Sequence, residues 1–158
     1  MPRFAVWPTP VGDRMLRELQ GDVRTNAKKA MDDLERRGCK AADWRLEGNE
    51  VERFCVIDLG RDWRMIIAFP EEDEVSVLLV GRHIDRRPEV DIYRRLYDNL
   101  GIELPRTVDR KGHPPCCETG RPSVDRDVVD RFIERERELR RAERGQRRRS
   151  GRQRGRTK

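Results

Sequence analysis

The sequence predicts an α+β fold: an N-terminal strand, a two-helix hairpin, a three-stranded antiparallel meander and a short helix, then a charged C-terminal helix and a disordered basic tail. Three observations lead there. Apolar residues recur at three- and four-residue steps from Met15 to Leu34. Three β-rich segments separated by hairpin-length loops follow between 51 and 83, and the composition changes at Pro105. The expected organisation is a folded domain over 1–104, a linker over 105–122, a charged helix over 123–144 and a disordered Arg-rich tail over 145–158.

The run Arg3–Trp7, closed by Pro8 and Pro10, reads as the first strand. Met15, Leu16, Leu19, Val23, Ala27, Ala30, Met31 and Leu34 form one stripe over about six helical turns. Gly21-Asp22 divides it, with Asp22 as N-cap of the second helix and Gly38 as its left-handed stop. The segments 51–59, 63–69 and 75–83 are rich in β-branched and aromatic residues. Short loops between them imply an antiparallel meander. Alternation places Cys55, Ile57 and Leu59 on one face of the first segment, and Trp63, Met65, Ile67 and Phe69 on one face of the second. One face then packs on the helices. A short helix over 89–100 carries Val90, Tyr93, Leu96, Tyr97 and Leu100 and ends at Gly101.

The linker holds four Pro and two Gly. Beyond it, the charged helix has a thin stripe of Val124, Val128, Val129, Phe132, Ile133 and Leu139, so it is expected to need a docking surface. The last stretch has no apolar residue and is expected to be disordered.

Of 158 residues, 42% are charged, too many for one core to bury the whole chain. Residues 1–105 carry 18 basic and 21 acidic side chains, a net −3, whereas 106–158 carry 18 and 9, a net +9. The positive charge of this chain therefore lies in its C-terminal third. No apolar run approaches the roughly 18 residues of a membrane span, and the N-terminus lacks the pattern of a secretory signal, so the expected location is cytoplasmic. Cys39 and Cys55 read as buried, reduced thiols. His113 with the adjacent Cys116 and Cys117 makes a poor tetrahedral set, so no metal is expected. Walker, Rossmann, HExxH and nucleophile-elbow motifs are absent from the sequence, and no small-molecule cofactor is expected.

The order of elements, with several local motifs, resembles the RelE/ParE toxin superfamily over about residues 3–100. Arg45-Leu46-Glu47-Gly48 is similar to that family's Leu-Lys-Gly turn, and Asp62-Trp63-Arg64-Met65-Ile66-Ile67 to its Asp-Tyr-Arg-Val-Ile-Tyr strand. Val80-Gly81-Arg82-His83, followed by Val90-Asp91-Ile92-Tyr93, resembles its closing strand and C-terminal Tyr motif. The resemblance implies a toxin neutralised by an antitoxin protein, acting either on mRNA at the ribosome as a metal-independent endoribonuclease or on gyrase.

Cleavage by the ribose 2′-OH requires a base, a cation on the scissile phosphate and an acid for the leaving 5′ oxygen. The resemblance implies Arg64 for the phosphate, His83 as acid or base, Tyr93 to stack or orient, and Glu47 or Asp43 as the carboxylate. Arg82 adds a phosphate contact. Strand lysines that serve one nuclease branch are matched here by Val56 and Asp58. Arg147, Arg148, Arg149, Arg152 and Arg154 are the expected RNA-binding arm. Without the resemblance, Arg64 reads as a surface strand residue paired with Asp58 or Glu74, and Tyr93 as a packing residue. A non-catalytic RNA- or protein-binding module of toxin descent is the alternative function. The cleavage reading requires Arg64, His83 and Tyr93 around one concave sheet surface.

Overall fold

A computed structural model describes residues 4–46, 51–103 and 124–155. Strand β1, Ala5–Pro8, leads into helices α1, Pro10–Glu18, and α2, Gly21–Arg37. The stop between them falls at Leu19-Gln20, one step before the Gly21 expected from sequence, and Gln20 rather than Asp22 occupies the N-cap of α2. Gly38 ends α2 at φ 56, where the Phe4 ring lies over the position a Cβ would take. A two-residue strand β2, Trp44–Arg45, precedes β3, Cys55–Gly60, β4, Trp63–Glu71, and β5, Glu74–Arg82. Helix α3, Ile92–Leu100, ends at Gly101 in the left-handed conformation, as the sequence suggested, and α4 spans Arg126–Arg154.

The five strands form one sheet in the order β1-β5-β4-β3-β2. The meander β3-β4-β5 is antiparallel, as expected, whereas β1 lies parallel to β5 with Val6 opposite Val75. Gly12 permits α1 to cross β5 closely, since a Cβ there would stand 2.5 Å from the Val77 carbonyl oxygen.

Both faces of the sheet are buried. Cys55, Ile57, Met65, Ile67 and Phe69 face Ala27, Ala30 and Leu34 of α2, on the side the alternation predicted. Val56, Ile66, Ala68 and Leu79 face the other way, against Tyr93, Leu96 and Tyr97 of α3 and Val129 and Phe132 of α4. Burying a residue such as Phe132 contributes roughly 1.5–3 kcal/mol, and this docking gives the thin stripe of α4 the surface it needs. Cys39 and Cys55, expected to be reduced, are disulfide-bonded.

A buried carboxylate also anchors α4. Glu136, 5% exposed, accepts from Arg95 and from Asn99 Nδ2 at 2.7 Å, and Arg14 stands 4.0 Å away. A charge so buried is tolerated because it is paired from two other helices. Arg126 adds exposed contacts to Glu74 at 2.6 Å and Glu71 at 3.5 Å, across the β4-β5 turn.

The tail expected to be disordered from 145 is helical through Arg154. Helix nucleation is the unfavourable step, and the docked first half has already accomplished it. Arg and Gln then extend the helix readily. The 105–122 linker, with His113, Cys116 and Cys117, lies wholly outside the described residues.

Candidate active site

Strand β4 presents Arg64 on the sheet face covered by α3, opposite Asp58 in β3 and Gly81 in β5. Its Nη1 donates to Asp58 Oδ1 at 3.1 Å, to the Arg61 carbonyl at 3.0 Å and to the Trp63 carbonyl at 2.9 Å. The guanidinium carbon lies 5.6 Å from the Trp44 ring centroid. Arg64 is only 6% exposed. Of the two partners the sequence left open, Asp58 and Glu74, the structure pairs Arg64 with Asp58, but the side chain is enclosed rather than on a solvent face. Asp58 is itself held by its own backbone amide, which donates to Asp43 Oδ2 at 2.7 Å.

Tyr93, in the first turn of α3, brings its hydroxyl beside the Arg64 guanidinium and its ring against His83, with centroids 4.9 Å apart in an edge-on arrangement. The Tyr93 hydroxyl, Arg64 Nε and Trp44 Nε1 are buried and make no hydrogen bond within ordinary limits. Such orphaned polar atoms are uncommon in folded interiors, and three of them meet on one side of the sheet.

Burial pushes the Tyr93 phenol up, with a further push from Asp91, while Arg64 opposes the shift. The folded state therefore holds the phenolic proton longer than the unfolded chain does. Stability from this group is fully present below the unfolded value of about 10 and is lost as the pH rises beyond it. Urea unfolding followed across the alkaline range is expected to show this decline, and Tyr93→Phe is expected to flatten it. An unaltered alkaline limb in the variant would assign the decline to other groups.

His83 follows β5, and its backbone amide donates to the Asp62 carbonyl at 2.7 Å. Its Nδ1 lies 2.6 Å from Asp91 Oδ1 and its Nε2 lies 2.9 Å from Asp85 Oδ1. Asp91, 6% exposed, is the N-cap of α3: Oδ2 accepts from the amides of Tyr93 at 3.0 Å and Arg94 at 3.3 Å, and Oδ1 also accepts from Ile84 at 2.8 Å. A carboxylate so committed to accepting fixes the hydrogen of the imidazole on Nδ1 and turns Nε2 outward. Asp85 is 86% exposed, so its contact with Nε2 is at the surface.

Arg64, His83 and Tyr93, which sequence reasoning grouped, thus stand on one side of the sheet, linked through Tyr93. The concave surface expected around them is covered by α3, and Arg64 and Tyr93 are buried beneath it. Arg82 is half-exposed and pairs with Asp62 at 3.4 Å. Glu47 lies outside the described residues; Asp43 is described and serves Asp58. Sequence reasoning missed Asp91 and Trp44 as members of the site. The available signal for Asp91 was an Asp directly before the apolar stripe of α3.

Arg147, Arg148, Arg149, Arg152 and Arg154 lie along the exposed last part of α4. Among the described residues, no group of three His, Cys, Asp or Glu is arranged to hold a metal ion, and no helix is long and apolar enough to cross a membrane. No family model matches the chain, and no curated protein sequence matches it.

Proposed function

We propose that the chain is a RelE-like toxin domain that cleaves mRNA on the ribosome, with His83 as its proton-transfer group. The observation that carries this reading is the Asp91–His83–Asp85 line. A buried carboxylate orients the imidazole, and Nε2 emerges next to an exposed carboxylate. In the proposed reaction Asp85 takes the 2′-OH proton. The O2′–P bond forms as the P–O5′ bond breaks, leaving a 2′,3′-cyclic phosphate. His83 enters the step as the imidazolium between its two carboxylates, gives its Nε2 proton to the departing 5′ oxygen and is left neutral with its hydrogen on Nδ1; the proton taken by Asp85 then returns to Nε2. Arg82, Arg86 and Arg87 flank His83 on exposed chain and supply positive charge for the phosphate. Arg64 acts from beneath, holding the β3-β4 turn and facing Tyr93.

An antitoxin protein is the partner this reading requires. Induced expression is expected to arrest translation and to leave mRNA cuts at the ribosomal A site. A ribosome-bound mRNA carrying a 2′-deoxy nucleotide at the cut position is expected to resist cleavage. Intact message under arrest-free growth would overturn the reading.

The burial of Arg64 and Tyr93 favours one second reading, a toxin-derived module that binds RNA or protein without cutting. That module predicts no growth effect on induction, whereas a gyrase inhibitor of the same descent predicts a DNA-damage response.

A further inference from the structure

The last part of α4 is separated from the rest of the chain by exposure and by the distribution of its charge. From Arg141 to Gly155 every residue is exposed. At 100° per residue, Arg141, Arg144, Arg147, Arg148, Arg152 and Arg154 fall within an arc of about 160°, and of the arginines in this stretch only Arg149 falls outside it. Gln146, Ser150 and Gln153 occupy the opposite side. The side chains suited to reading base edges through paired hydrogen bonds to adenine are therefore turned away from the cationic face.

That face continues onto the body. Arg140, one turn before Arg144, is half-buried and close enough to Arg14 to affect it electrostatically. Arg14 and Arg95 both stand at Glu136, so Arg140 joins a cluster in which two guanidiniums already share a single carboxylate. The cationic track runs from this cluster along roughly 20 Å of helix.

We propose that the arginine face of α4, continued onto the body by Arg140 and Arg14, binds the two phosphate backbones of double-stranded RNA. Charge complementarity selects a polyanion, since the folded body supplies little positive charge of its own. The width of the arc suits two phosphate rows rather than one. The narrow major groove of an A-form duplex brings its two backbones close together and hides its base edges, so it is recognised by shape and phosphate contact. A face of arginines without amides or hydroxyls matches that requirement. The inference rests on the RNA-directed reading above for its choice of RNA, but its readout is binding, so it fails or stands separately from cleavage.

The test uses the full chain with a fluorescent RNA duplex of about 16 base pairs, compared with a DNA duplex of the same sequence. The variant Arg144→Gln/Arg147→Gln/Arg148→Gln removes three charges from the face. Gln146→Glu/Ser150→Glu/Gln153→Glu changes the net charge equally on the opposite side. The expected result is tighter binding to RNA than to DNA. The dependence of log affinity on log salt is expected to become shallower by about 3 in the face variant and to change by less than about 1 in the opposite-side variant. Circular dichroism confirms that both variants keep the helix. Equal weakening in the two variants, tighter binding to DNA, or binding to an acidic protein but not to RNA would each overturn the proposal.

Discussion

Arg64→Ala is expected to lower folding stability by about 2–4 kcal/mol, a melting temperature lower by roughly 5–15 °C for a domain of this size. The guanidinium is a structural cation before it is anything else. Its Nη1 gathers Asp58 and the carbonyls of Arg61 and Trp63, which tightens the β3-β4 turn, where Arg61 itself adopts a positive φ of 52. Truncation leaves those acceptors without their donor and removes the packing against Trp44. Asp58 is nearly half exposed, so water recovers part of the loss there and the cost stays below that of breaking a fully buried ion pair. A residue that only bound the scissile phosphate, the role the family resemblance implies for Arg64, would be removable with loss of toxicity and no loss of folding. The structure makes the two inseparable in that variant. Arg64→Lys retains the charge with a point donor in place of the planar fork and is expected to recover about half the lost stability. A melting temperature for Arg64→Ala within about 2 °C of wild type would refute the structural role assigned here.

The meander was legible because its residues alternate with period two. Cys55, Ile57, Met65, Ile67 and Phe69 fell on the predicted face, whereas the choice between Asp58 and Glu74 as the partner of Arg64 was settled only by the strand register. The second helical layer was less legible. Val129 and Phe132 were identified as a stripe in need of a surface, but a stripe does not name the surface it meets, and Val56, Ile66 and Ala68 read equally well as the outer face of an open sheet. Strand β2 is two residues long, too short to produce a pattern. The parallel seating of β1 beside β5 depends on a crossover through both helices rather than on any local residue. At the site, His83 and Tyr93 were named from motifs. Their connection through Asp91 depends on how residues 84–90 fold back, since the carboxylate lies eight positions along the chain from the imidazole. The arginine-rich end was misread because the absence of apolar residues argues against a core, not against a helix extended from a docked one.

The Asp91–His83 pair provides the sharper separation between fold and chemistry. Asp91→Ala removes the cap of α3 and strips two further donors, Ile84 N and His83 Nδ1, of their acceptor. Loss of a cap costs about 1 kcal/mol and each stranded donor about 1 kcal/mol or more, so a loss of about 3 kcal/mol is expected in chemical unfolding. Asn caps a helix about as well as Asp, so Asp91→Asn is expected to lose less than about 1.5 kcal/mol. Its amide nevertheless offers a neutral group, in place of a carboxylate, to Nδ1, so the imidazole is no longer held in one tautomer and its cationic form is no longer supported. His83→Ala leaves the cap intact and is expected to stay within about 1 kcal/mol of wild type while RNA cleavage falls by about 10²–10⁴. The diagnostic pattern is therefore Asp91→Asn grouped with wild type in stability and with His83→Ala in cleavage. Full cleavage by Asp91→Asn would show that the imidazole needs no oriented carboxylate behind it, and the proton-transfer role of His83 would lose its structural basis.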